Sequence, residues 1–139
     1  MDERTSISSL KFLNYIVNSV SYRTNDKPNE NGSWKLKFDI KNTTRINKEK
    51  DKMTITLAVN VFKGVEDAPF YIDVELTGYF KLEGEDDISK YEANAIAIMY
   101  PYLRAIVSNY TSSANVSPVI LPAINVNAML KRKNESKKN

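Results

Sequence analysis

A chain of 139 residues holds enough material for one core of ordinary size and too little for two. With 42% hydrophobic and 27% charged residues it matches soluble globular proteins and not the disordered, collagen-like or membrane classes. Cysteine and histidine are absent, which removes disulfides, thiolate nucleophiles, imidazole bases and zinc sites built from the usual ligands. The net charge of +3 sits in the tail: residues 131–139 carry five Lys/Arg against one Glu, leaving 15 positive and 16 negative groups elsewhere.

The N-terminal MDERTSISS is polar, with no basic segment leading into an apolar run, so no signal peptide is expected. The longest uncharged apolar stretch, residues 93–103, contains Pro101 and falls short of the ~20 residues a membrane helix needs. A cytoplasmic location follows as the expectation. Asn42-Thr43-Thr44 and Asn109-Tyr110-Thr111 fit the glycosylation pattern and, without a secretory signal, read as chance.

Around residues 10–22 a first strand is irregular. Leu10 and Phe12 share a parity that passes to Leu13, Tyr15 and Val17 and returns at Val20 and Tyr22, as a bulge requires. Trp34, Leu36, Phe38 and Ile40 alternate with Lys35, Lys37, Asp39 and Lys41, the period-2 signature of a half-buried strand. The same alternation recurs over Met53, Ile55, Leu57, Val59 and Val61, and again over Phe70, Ile72, Val74 and Leu76. The linkers at 42–52 and 63–69 are charged or carry Gly64 and Pro69, which predicts hairpins and an antiparallel meander.

After Gly84 the period changes. Ser89-Lys90-Tyr91-Glu92 has capping-box spacing, so a helix is expected to start there. Ile96, Met99, Leu103, Ile106, Val107 and Tyr110 then form one apolar stripe, with Pro101 expected to bend the helix. Residues 112–125 hold Pro118 and Pro122 and cannot be regular, and a short second helix covers roughly 126–133. The predicted class is α+β: a four-stranded antiparallel sheet, a long Pro-kinked helix, a Pro-rich crossover loop and a short C-terminal helix. One domain spans 1–130, followed by a basic, disordered tail over 131–139.

Between Ala93 and Leu130 the single charged residue is Arg104. Ala95, Ile98, Tyr102, Ala105 and Asn109 form a second helical stripe almost free of ions, so one side of the helix is expected to cover the sheet and the other to meet a second copy. A small, mildly polar outer face would give the same pattern. Past the helix, Val116, Val119, Ile120, Leu121, Ile124, Val126, Met129 and Leu130 form an apolar series broken by prolines. Such a loop either fills the core at the sheet edge or walls a groove left partly open.

Carboxylates offer little chemistry. Glu83, Glu85, Asp86 and Asp87 could hold a hard cation, and Asp73 with Glu75 share a strand face. An acidic turn before a helix and a solvated face explain both groups, so no metal, cofactor or catalytic residue is expected. The alternative function is nucleic-acid binding by the basic tail with Tyr71 and Tyr79, opposed by Asp73 and Glu75 on the same face.

Two segments resemble a known family. Ile98-Met99-Tyr100-Pro101-Tyr102-Leu103-Arg104 is similar to the Leu-Phe-Pro-Tyr-x-Arg helix signature of the SecB export chaperones, and Ser117-Pro118-Val119-Ile120-Leu121-Pro122-Ala123-Ile124-Asn125-Val126 resembles their crossover segment. The likeness covers about residues 10–130. It implies a dimer of dimers formed through the first strands, here Tyr15 and Val17, and through the long helix, here Ile98, Tyr102, Ala105 and Asn109. It also implies ATP-independent binding of non-native chains in long apolar grooves. The groove positions would be Trp34, Leu36, Val119, Ile120, Leu121, Ile124, Val126, Met129 and Leu130. Clients would be unfolded chains or preproteins, or an antitoxin, as for the solitary branch tied to toxin–antitoxin systems. Export-type members present first-strand carboxylates to the motor SecA; Ser19 and Arg23 stand at those positions here, which works against SecA docking.

Overall fold

A computed structural model describes residues 8–28 and 34–138; residues 1–7, 29–33 and 139 lie outside it, and with them most of the polar N-terminal segment. The strands β1 (Ser9–Thr24), β2 (Phe38–Ile46), β3 (Lys52–Val61) and β4 (Phe70–Glu83) make one antiparallel sheet in the order β1-β4-β3-β2. The long helix α1 (Glu92–Ser113) covers one face, and α2 (Val126–Lys138) follows the crossover segment. The expected class and element order are observed.

Alternation explains the two central strands. Met53, Ile55, Leu57, Val59 and Val61 of β3 and Phe70, Ile72, Val74, Leu76, Phe80 and Leu82 of β4 are buried, all on the α1 side. At Gly78 the helix crosses closely: a Cβ there would stand 2.7 Å from the Met99 sulfur. Glycine inside a strand here makes room for a neighbouring element.

The parity switches in the first strand resolve into two bulges, with register shifts between Phe12 and Asn14 and between Val17 and Ser19. Each inserted residue restores the apolar set to one face. Phe12 pairs with Phe80, Tyr15 with Gly78, Val17 with Leu76 and Val20 with Val74, so all four sit on the helix side.

Both ends of β2 differ from expectation. β2 starts at Phe38, opposite Val61 at the end of β3, because Phe62 turns away with a φ of 65° while its N–H bonds the Lys37 carbonyl at 2.8 Å. Trp34 and Leu36 therefore precede the strand. β2 also runs on through Asn42, Thr43, Thr44 and Arg45, where apolar alternation is missing but pairing with β3 continues. Asn47 makes that tight turn, its Oδ1 accepting from the N–H groups of Asp51 at 3.0 Å and Lys52 at 2.9 Å. Asn42 is buried in the sheet and donates to Thr44 Oγ1 at 3.0 Å.

The helix start is one turn more elaborate than a capping box. Asp87, not Ser89, is the cap: its carboxylate accepts from the Ser89 N–H at 2.9 Å and opens a 3-10 turn, Ile88–Tyr91, ahead of α1. Asp86 pairs with Lys90 at 2.9 Å and Asp87 with Lys50 at 3.5 Å, so the acidic turn is used in folding. Both carboxyls are held below their usual range, Asp86 chiefly by the bond from Lys90 and Asp87 by the Ser89 backbone.

α1 passes through Pro101 without a break. Its buried stripe is Ala95, Ile96, Met99, Tyr100, Leu103, Val107 and Thr111. Thr111 takes the place expected for Tyr110, which is 41% exposed, because the i+4 row from Leu103 through Val107 arrives at 111. α2 continues to Lys138, beyond the roughly 126–133 expected for the second helix. Among the described residues no helix is long and apolar enough to cross a membrane.

Candidate functional site

The irregular segment after α1 is held by side chains of the helix itself. Thr111 Oγ1 donates to the Val107 carbonyl at 2.8 Å and accepts from the Val119 N–H at 2.9 Å. Ser108 Oγ donates to the Val119 carbonyl at 2.8 Å, so both backbone groups of Val119 are satisfied. Further along, the Tyr100 hydroxyl donates to the Pro122 carbonyl. Pro118 and Pro122 have no N–H to satisfy, which lets this stretch lie extended without strand partners. Asn125 then caps α2, its Oδ1 accepting from the Ala128 N–H at 2.9 Å.

Extended backbone alternates sides, and the consequences are visible in the burial. Val119 and Leu121 turn inward, Leu121 to 0% exposure, while Ile120 between them is 64% exposed. Leu121 is thus core, not groove lining, which corrects the expectation for that residue.

Two cavities flank this strap. One, of about 460 Å3, lies between Trp34, Leu36, Phe62 and Phe70 on the sheet side and Val116, Pro118, Val119 and Ile120 of the crossover. The other, of about 870 Å3, lies between residues 38–43 of β2 and a wall including Ile124, Asn125, Met129 and Arg132. Residue numbers advance together on both walls, so the two cavities follow one another along residues 34–43, and together they are called the furrow. Of the residues expected there, Trp34, Leu36, Val119 and Ile120 line the first stretch, and Ile124 and Met129 the second. Val126 and Leu130 are half-buried against the core and line neither cavity. Phe38 and Ile40 belong to the furrow as well, and the alternating run that includes Trp34 and Leu36 could have pointed to them.

Elsewhere, the outer side of α1 and strand β1 join. The Tyr15 ring lies 4.7 Å from Tyr102, and Tyr22 lies 5.8 Å from Tyr110. Val17, Ile98, Tyr102, Ala105 and Asn109 are exposed and Tyr15 is half-buried. Leu13, at the first bulge, is a further exposed apolar side chain of β1, whereas Ile16, which sequence patterning did not single out, pairs with Thr77 and is exposed on the opposite sheet face. On the opposite sheet face, the Arg23 guanidinium covers the Tyr71 ring at 4.5 Å and the Tyr71 hydroxyl donates to the Val65 carbonyl at 2.6 Å. That ring is therefore engaged internally, which weakens the nucleic-acid alternative.

Burial pushes the Tyr100 phenol above its ordinary value. Folding therefore favours the neutral phenol, and this contribution is whole below about pH 10, the unfolded value, and lost as pH rises further. Tyr100→Phe is expected to cost about 1 kcal/mol at neutral pH through the lost bond to Pro122. It should also flatten the alkaline fall in stability, as urea titrations across that range will report.

A four-stranded antiparallel sheet, one long covering helix and a furrow between an edge strand and a strapped crossover define an α+β fold that leaves apolar surface open by construction. The chain belongs to the SecB family: the model for preprotein translocase subunit SecB matches residues 8–137. An uncharacterised protein of Methanocaldococcus jannaschii is 36% identical over 128 residues, covering 88% of this chain and 83% of that one. The protein-export protein SecB of Anaplasma phagocytophilum is 27% identical over 85 residues, 56% of this chain and 54% of its own length. The chain thus spans about half the length of the SecB relative it matches there. The Rv1957 SecB-like chaperone of Mycobacterium tuberculosis, solved with a peptide from an antitoxin, shares the fold with a TM-score of 0.61 at 15% identity, over 84% of this chain and 91% of that one. Family membership supports a chaperone role.

Proposed function

We propose that the protein is an ATP-independent holdase that takes non-native polypeptide into the furrow along residues 34–43 and works as a cytoplasmic homo-oligomer. The observation that carries this reading is the strapped crossover: Ile120 is held outward, exposed, by bonds that α1 makes to the residues around it. Apolar contact gives about 25 cal/mol per Å2 without direction, so a fixed apolar wall binds many sequences. Met129, flexible and polarisable, suits changing partners. The sequence carries no nucleotide-binding motif, which leaves release to dissociation, client folding or a partner. The client is a preprotein or a dedicated protein such as an antitoxin; the antitoxin peptide seen with the mycobacterial chaperone favours the second. Ser19 and Arg23, both exposed on β1, work against docking to SecA.

The test is aggregation of a chemically denatured client followed by light scattering with the full-length chain. Suppression at near-stoichiometric ratio, unchanged by ATP, is the expected result. No suppression at severalfold excess would overturn the proposal.

A further inference from the structure

The 870 Å3 stretch of the furrow is lined by every residue from Phe38 to Thr43. Successive strand residues point to opposite faces, so a cavity that meets all of them lies along the strand's edge, not over one face. β2 ends the sheet, with β3 on its other side. Two hydrogen bonds fix which backbone groups face outward. The Lys37 carbonyl bonds Phe62 toward β3, whereas the Asn42 carbonyl accepts from the Lys133 ammonium on the far side. By the alternation of an antiparallel strand, Phe38 and Ile40 share the parity of Asn42 and turn their N–H and C=O groups into the cavity. No bond among the described residues fills that side of Phe38 or Ile40.

The charge around this edge is one-sided. Lys35, Lys37, Lys41 and Arg45 run along β2 and its approach with Asp39 as their one acidic neighbour, and Arg132 and Lys133 line the facing wall from α2, which also carries Lys131 and Glu135. A second copy pairing edge to edge would bring these cationic rows together, which is how edge strands commonly resist self-association. The favoured occupant is a chain of opposite sign.

Resting on the groove reading above, we infer that the furrow selects extended guest segments that carry acidic residues beside their apolar ones and that seat as a fifth strand on the free edge of β2. The guest's backbone bonds to Phe38 and Ile40, its apolar side chains meet Ile40, Ile124 and Met129, and its carboxylates face Lys41 and Arg132. Main-chain pairing supplies sequence tolerance and the charges supply choice.

Three fluorescent peptides with one alternating apolar core and Glu, Gln or Lys at the flanks test this by anisotropy with the full-length protein. At low salt the Glu peptide is expected to bind roughly tenfold more tightly than the Lys peptide, the gap closing at high salt as exposed pairs are screened. Lys41→Glu with Arg132→Glu, both at exposed positions, should reverse the order. N-methylation of alternate peptide amides should weaken binding by tenfold or more on one parity and little on the other. Equal affinity for all three peptides, with binding still lost in Ile120→Asp, would overturn the charge selection and leave the groove standing. Equal loss, or none, on both methylation parities would overturn the strand seat. Failure of every peptide to bind, together with no client effect of Ile120→Asp, would overturn the groove as well.

Discussion

Leu121→Ala is expected to destabilise the fold by about 2–5 kcal/mol, whereas Ile120→Ala beside it should cost no more than ~0.5 kcal/mol. The two side chains are of similar size and adjacent, yet Leu121 is fully buried and Ile120 largely exposed. The difference comes from the fixed phase of the strap. Thr111 and Ser108 hold both backbone groups of Val119, which leaves residue 120 on the outer side and residue 121 on the inner. Leu121→Asp, attractive from sequence alone as a probe of the groove, instead buries a carboxylate with no partner and should unfold the chain. The proper groove probe is Ile120. Its truncation should weaken client binding about fivefold, or ~1 kcal/mol, part of the value of a fully buried aliphatic side chain. Urea denaturation and client titration on the same samples separate the two effects. Equal stability losses for the two alanine variants would show that the strap is not fixed.

The parts of this molecule that could be read from sequence are those in which one face is wet. β3 and β4 carry strict alternation because their outer face keeps Thr54, Thr56, Asp73 and Glu75 while the other lies under α1. The switching parity of β1 was also legible, since only an inserted residue returns apolar side chains to the same face. The second half of β2 was not legible: Asn42 to Arg45 carry no alternation, and their pairing is imposed by the Asn47 turn and by β3 alongside. Thr111 was missed in the helix because a hydroxyl looks like surface until its two partners, Val107 and Val119, are in place. The crossover was recognisable as apolar, but division into Leu121 inside and Ile120 outside depends on hydrogen bonds between residues eight or more apart. That phase is a tertiary property.

The two edges of the sheet are unlike, and the contrast leads to the second large effect. β2 is lined with cations, but residues 12–22 of β1 have no charged side chain at all. Long apolar edges invite pairing and are normally blunted by charge or cover. Here Leu13 is 59% and Val17 46% exposed, and the outer face of α1 continues the surface through Ile98 and Tyr102. A second copy is the natural cover, because an isologous contact buries the same residues twice and an edge strand can pair with its own symmetry mate. The full-length protein is therefore expected to run as a dimer or tetramer in light scattering after size exclusion. Val17→Asp with Tyr102→Asp should dissociate it at micromolar concentration while circular dichroism stays unchanged. Each substitution enters the interface twice and removes about 1.5–3 kcal/mol of burial per side chain, before any repulsion between the new carboxylates. Since both residues lie away from the furrow, a dissociated variant should still bind single short peptides. It should lose the gain that a long client obtains by spanning several furrows on one assembly. A wild-type chain that stays monomeric up to high concentration would leave that apolar edge without its cover, and the assembly would have to be abandoned.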